Sequence, residues 1–277
     1  MMNRRRLILG FLILQLLCPG RSKAQGNLML LPRRVIFEGS KRYEELSLAN
    51  IGKDTARYVI SLMHIRMKED GGFEEISQPD SGERFADRFL RFFPHSVVLA
   101  PGESQVVKIQ LTKMNELAPG EYRSHLYFRA IPDMPLMGEE NPAKDSGISI
   151  RLIPVFGISI PVIIRIGTSN TQVRITDLSL KMADDTIPIL DMTFHRTGNM
   201  STYGDISVFY TSASGKTTPA GIASGIAVYT PNTARTFRIT LDKKGDIDYH
   251  SGRLSVEYST SDDNHPVRIA GADLQLR

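Results

Sequence analysis

The sequence predicts an all-β protein, built as two immunoglobulin-like β-sandwiches that follow a cleaved signal peptide. Short runs of alternating or β-branched residues, such as 44–50, 104–111 and 253–260, recur between turn residues. Helical periodicity is nearly absent from the same region. The two halves also share one order of strand, glycine-containing turn and strand, at 46–62 and 190–210. A chain of 277 residues accommodates two such sandwiches.

The N-terminus has the three parts of a secretory signal peptide. Arg4, Arg5 and Arg6 precede an apolar run at 7–17, and a small-residue cleavage site ends at Ala24. An uncleaved anchor is the alternative, but the apolar run is shorter than the roughly 20 residues that span a bilayer. We therefore expect residues 1–24 to be removed.

Removal of this segment changes the charge and the cysteine content. Five of the 34 basic residues and no acidic residue leave with it, so 29 basic residues face 30 acidic ones and the net charge falls from +4 to −1. The basic pI of 9.1 therefore gives no support to nucleic-acid binding. The single cysteine, Cys18, also lies in the removed segment, which leaves no thiol for a disulfide, a nucleophile or a metal.

Composition divides the mature chain near the small polar stretch Gly-Thr-Ser-Asn at 167–170. We predict an N-terminal domain over 25–167 and a C-terminal domain over 168–277. One segment, 81–94, spaces Phe85, Phe89 and Phe92 as a helix would, and is predicted to be a short helix or an irregular crossover.

The sequence contains parts of two catalytic motifs, and neither motif is complete. The stretch 212–218 resembles a phosphate-binding loop but has Tyr210 where the first glycine is needed, and Ser224 is one place late for a nucleophile elbow. The six histidines show no metal-ligand spacing. Neither an enzyme nor a bound metal or cofactor is expected.

The segment 148–167 is the most apolar part of the predicted mature chain. Pro154 and Pro161 cannot donate to a β-ladder, so the segment is predicted to be an edge strand. An exposed apolar edge is an aggregation hazard unless another chain pairs with it, and such pairing is how β-strand addition works. Apolar residues occupy ten successive even positions, which fall on one face of an extended chain: Ile148, Ile150, Leu152, Pro154, Phe156, Ile158, Ile160, Val162, Ile164 and Ile166.

Four blocks of the first half, at 33–62, 92–111, 119–132 and 159–165, are similar in order and spacing to the PapD-like periplasmic chaperones that assemble pili with an usher. The resemblance covers 27–166 well and the second half more loosely. It implies a periplasmic protein that stabilises pilus or fimbria-like subunits by donor-strand complementation and delivers them to an outer-membrane usher. It implies no cofactor, no nucleic acid and no stable membrane insertion.

The resemblance also implies roles for particular residues. Arg34 would hold the C-terminal carboxylate of the subunit, and Arg165 would pair with Asp248 across the two domains. The family's second anchoring residue, a lysine, is replaced by Pro161, a glutamate of its interdomain network falls on Arg123, and the loop 131–147 is long. The donor strand would present five apolar residues: Ile150, Leu152, Pro154, Phe156 and Ile158.

Two alternatives remain open at this stage. The same edge strand suits an exported immunoglobulin-like adhesion or scaffold protein that oligomerises stably, and it also suits a free chaperone that caps itself as a dimer. An exported hydrolase or sugar-binding module is disfavoured, because the chain has no tryptophan and its acidic residues are scattered.

Overall fold

The computed structural model describes residues 27–132, 154–184, 186–245, 247–262 and 264–276. The predicted signal peptide and two predicted donor residues, Ile150 and Leu152, lie outside these ranges. Within them, no helix is long and apolar enough to cross a membrane.

The prediction of an all-β fold is confirmed, because strands form nearly all the regular structure of the described residues. Two single-turn 3-10 helices lie at Asp87–Phe89 and Met114–Glu116. The strands are β1 (Leu28–Leu31), β2 (Val35–Phe37), β3 (Tyr43–Asn50), β4 (Ala56–Met63), β5 (Ile65–Met67), β6 (Phe73–Glu75), β7 (Leu90–Phe93), β8 (Ser96–Leu99), β9 (Ser104–Leu111), β10 (Gly120–Ile131), β11 (Gly157–Ile166), β12 (Gln172–Ala183), β13 (Ile187–Thr197), β14 (Thr202–Thr211), β15 (Thr217–Val228), β16 (Ala234–Thr240), β17 (Gly252–Ser259) and β18 (Arg268–Leu276).

The first half of the chain is a sandwich of two sheets. One sheet has the order β1-β3-β9-β7, the other β2-β11-β10-β4-β8, and β5 and β6 form a separate hairpin. Alternation builds the core: Val107, Ile109 and Leu111 of β9 are buried while the residues between them are exposed. Each fully buried side chain of this size contributes about 1.5–3 kcal/mol as an upper estimate.

The second half is a separate sandwich with its own core. Its sheets have the orders β12-β13-β16 and β15-β14-β17-β18, the three-plus-four strand count of a constant-type immunoglobulin domain. Phe194, Val208 and Tyr258 are buried between the sheets. The Tyr258 hydroxyl donates to the carbonyl of Ile226 at 2.7 Å, which satisfies the polar end of a buried ring.

The predicted helix or crossover at 81–94 is a crossover. Only Asp87–Phe89 makes a helical turn, and β7 follows it at once. The phenylalanines do not share one face: Phe89 is buried in the core, whereas Phe85 stacks on His64 with ring centroids 3.8 Å apart. Pairing of Leu90–Phe93 with β9 holds this segment extended.

A third, smaller cluster joins the two sandwiches. Met67 and Ile163 of the first half pack with Ala227 and Tyr229 of the second, and all four are buried. Hairpin β5–β6 lies against the second half, where the Asn232 side chain donates to the Met67 carbonyl at 2.7 Å. Both halves therefore share a packed interface beside β11.

Candidate binding site at the β11 edge and the domain interface

Strand β11 is paired fully on one side and only partly on the other. All ten residues of Gly157–Ile166 pair with β10 in antiparallel register. On the opposite side, β2 pairs in parallel with Val162–Ile164 alone. Among the described residues, the half from 157 to 161 therefore has an open edge.

Hydrogen-bond directions show what this edge offers. The Ala130 amide donates to the Phe156 carbonyl at 2.9 Å, so even residues of β11 bond toward β10. Gly157 and Ser159 consequently direct their amide and carbonyl groups away from β10, toward the open edge. Pro161 also directs its nitrogen outward, and so it costs the β10 ladder no bond.

The even-numbered apolar row divides into a buried part and an exposed part. Ile160 and Ile164 are buried in the first core, whereas Ile158 is 40% and Phe156 63% exposed. Pro154 is exposed as well. Apolar side chains thus continue along one face beyond the limit of the first core, beside backbone groups that no described strand pairs with.

Arg34 lies immediately before β2, next to this edge and against the second half. Its guanidinium stacks on the ring of Tyr203 from β14, with Cζ 3.9 Å from the centroid. It makes no hydrogen bond or ion pair with any residue in the described ranges, and its Nε is buried without a partner. Burial lowers the pKa of Arg34, and nearby Arg165 lowers it further. An arginine with free donors in a partly buried site favours an anionic ligand.

The predicted pair of Arg165 with Asp248 is wrong. Arg165 instead donates through Nε to Glu121, its direct cross-strand neighbour, at 3.1 Å. Its Nη2 donates to the Ser201 carbonyl at 2.8 Å. Asp248 is exposed and accepts from Ser251 and His250 within its own turn, hydrogen bonds that lower its pKa. Register explains the difference, because β10 places a carboxylate directly opposite Arg165.

Glu121 accepts hydrogen bonds from both halves of the chain at the domain interface. Its side chain is fully buried and accepts hydrogen bonds from Arg165, from the Ser201 amide at 3.0 Å, from the Ser201 hydroxyl at 2.7 Å and from the Thr230 hydroxyl at 3.2 Å. Ser201 and Thr230 belong to the second half. One carboxylate thus links the sheet of β10 and β11 to the other sandwich.

Arg123, placed where the family resemblance predicted a glutamate, has its own acidic partner. It pairs with Glu83 at 2.7 Å, and both side chains are only 2% exposed. It also donates to the Thr230 carbonyl at 3.2 Å and lies over the Tyr229 ring at 4.5 Å. Forming a buried ion pair of this kind costs desolvation free energy, and removing one partner strongly destabilises the fold because the other charge is left buried and unpaired.

His125 lies directly across from Pro161, where the family's lysine was expected. Burial lowers the pKa of His125 to about 3, with contributions from Arg123 and His64. The ring is therefore neutral, and its Nδ1 has no partner among the described residues. No cationic replacement for the lysine stands on this pair of positions.

Sequence reasoning placed Arg123 in the interdomain network but missed its partner Glu83, and it missed Glu121 and the buried His125, although a usable pattern was present. Three ionisable residues at alternate positions fall on one face of β10, and the opposite face carries Tyr122, Leu126 and Phe128. Such a face must meet polar partners if it is buried. No group of three or more metal-ligating side chains occurs within the described part of the chain.

Comparison with known proteins gives structural likenesses alone. No protein-family model and no curated protein matches the chain. Among solved structures, the CupB2 chaperone of Pseudomonas aeruginosa is 14% identical and covers 90% of this chain and 100% of its own, with a TM-score of 0.41. The E. coli chaperone DraB is 14% identical over 92% of this chain and 98% of its own, with a TM-score of 0.43. A structure of the CsuC–CsuE chaperone-tip adhesion subunit pre-assembly complex of Acinetobacter baumannii matches at 13% identity over 88% and 98%, with a TM-score of 0.43.

Proposed function

We propose that this protein is a periplasmic chaperone for pilus or fimbria-like subunits, acting by donor-strand complementation. Residues 25–167 would form the chaperone domain with the donor strand, and 168–277 the second immunoglobulin-like domain, after removal of the signal peptide. The bound subunit would then pass to an outer-membrane usher. No catalysis is required for any of these steps.

The open half of β11 carries this proposal. Gly157 and Ser159 offer backbone groups that no described residue pairs with, and Phe156 and Ile158 offer exposed apolar side chains in the same short stretch. Backbone bonds would supply the pairing, and alternate side chains would fill a gap in the subunit's core. In this proposal the presented row is Ile150, Leu152, Pro154, Phe156 and Ile158.

Arg34 is the proposed anchor for the subunit's C-terminal carboxylate. Its donors have no partner among the described residues, whereas Pro161 has no amino group and His125 is neutral. A charge-assisted hydrogen bond is worth about 1.5–3 kcal/mol. Arg34 would therefore act without the lysine that the family resemblance led us to expect.

Co-purification tests the strand donation. The protein is co-expressed in the periplasm with the small exported proteins encoded beside it, and tagged complexes are recovered. Burial of a Phe or Ile side chain contributes about 1.5–3 kcal/mol, so Phe156→Asp and Ile158→Asp should each reduce recovery at least tenfold. Val98→Asp is the matched control, because Val98 is 52% exposed on β8 at the far edge of the same sheet.

Two outcomes oppose the proposal. Recovery that falls equally for Val98→Asp would remove the specific role of the β11 edge. A stable oligomer of the protein alone, which Phe156→Asp dissociates while no exported partner is recovered, would favour the adhesion or scaffold alternative. Size-exclusion chromatography with light scattering reports the second outcome directly.

A further inference from the structure

We infer that the carboxylate site is composite: Tyr203 of the second domain is a positioning residue that holds the Arg34 guanidinium with its donors free. This inference rests on the proposed role of Arg34 and adds a residue from the other domain to it. A site assembled in this way exists only while the two domains are docked.

The contact between the two residues is a stack. The Arg34 Cζ lies 3.9 Å from the centroid of the Tyr203 ring. A cation over a ring face is attracted by the ring quadrupole, and a stacked guanidinium keeps its N–H groups in a plane that the ring does not occupy. Tyr203 can therefore fix the guanidinium without consuming a single donor.

In the described part of the chain, no acidic side chain forms an ion pair with Arg34. Among the described residues, Glu121 is the carboxylate whose charge raises the pKa of Arg34, but its two oxygens already accept four hydrogen bonds from Arg165, Ser201 and Thr230. Arg165 adds a like charge. Binding of an anion would stabilise a partly buried cation in these surroundings.

The second domain fixes the position of Tyr203 itself. Tyr203 pairs with Ala227 across β14 and β15, and its ring packs against the cluster of Ile163 and Tyr229. Its hydroxyl lies beside Gly225, whose φ of +76° suits glycine, and a Cβ built there would stand 3.1 Å from that oxygen. The ring is thus set by packing on both sides of the domain interface.

Acetate is a suitable probe, because it presents a carboxylate and needs no strand pairing. The Nε–H signal of Arg34, assigned by its loss in Arg34→Ala, is followed by NMR during titration with sodium acetate against sodium chloride of equal ionic strength. We expect a saturable shift in the wild type and in Tyr203→Phe, which keeps the ring. Loss of the stack in Tyr203→Leu should raise the acetate concentration at half-saturation about threefold to thirtyfold.

The outcomes separate this inference from the proposed function. If Tyr203→Leu titrates as the wild type does, or if the wild-type signal does not respond to acetate, the positioning role is refuted. Failure of strand donation would show in the Phe156→Asp co-purification instead, and that variant should titrate acetate normally. Rescue by Tyr203→Phe distinguishes the ring's role from a general loss of domain packing, which thermal unfolding of both variants also reports.

Discussion

Removing the Glu121 carboxylate should uncouple the two domains. This side chain is fully buried and accepts four hydrogen bonds, three of them from Ser201 and Thr230 across the domain interface. Deleting one partner of a buried, hydrogen-bonded ion pair costs about 3–5 kcal/mol, so Glu121→Ala should lower the free energy of unfolding by that amount. Glu121→Gln keeps the shape and loses the charge, and should cost about 1.5–3 kcal/mol.

Urea unfolding followed by far-UV circular dichroism measures the change. Because most of the lost bonds join the domains, we expect a single wild-type transition to separate into two in Glu121→Ala. Glu45→Ala is the matched control, since Glu45 is exposed and its pair with Lys108 spans 4.0 Å; it should change stability by less than about 1 kcal/mol. A Glu121→Ala protein with one transition at the wild-type midpoint would refute the reasoning.

Two further predictions concern β10 and the open edge. The pKa of His125 is near 6.5 in the unfolded chain and about 3 in the folded protein, so only the unfolded state gains a proton as the pH falls from 6.5 to 5. The free energy of unfolding should therefore drop by about 2 kcal/mol over this range. In urea titrations at each pH, His125→Leu should lack this part of the decrease. An equal acid loss in both proteins would contradict this account. A Cβ on Gly157 would overlap the Tyr127 ring, so Gly157→Ala should lower the free energy of unfolding by about 1–3 kcal/mol and lower the thermal midpoint accordingly. Adding Tyr127→Ala to this variant should recover most of the loss that the overlap causes. Additive losses in the double variant would show that the overlap is not the cause.

The strand content could be predicted from the sequence because alternation is a local property. Residues 104–111 and 187–194 show it clearly, and both form strands that bury one face. Residues 90–93 do not show this alternation, because their aromatic side chains contact different partners and are spaced as in a helix. The short strand Leu28–Leu31 was also missed, since four residues are too few to establish a period.

The site was predictable only where one strand contains it. The exposed Phe156 and Ile158 follow from the row of apolar even positions. The partner of Arg165 did not follow, because it depends on the register between β10 and β11, and one step of register changes which residue lies opposite. Tyr203 could not be placed at all, since its contact with Arg34 joins residues from different domains and leaves no trace in local sequence.

In the proposed function, the open half of β11 would bind the subunit, and the buried half would hold the open half in position. Residues 162–164 are held between β10 and β2, and Ile163 also packs on the second domain. This fixes the direction in which residues 157–161 extend, and pairing with β10 already orders their backbone. Ordering the backbone of one residue costs about 1–2 kcal/mol. Because residues 157–161 are already ordered, a strand that binds at this edge would not require them to lose much further conformational entropy. A substitution that loosens the buried half should therefore weaken binding at the open half without touching a contact residue.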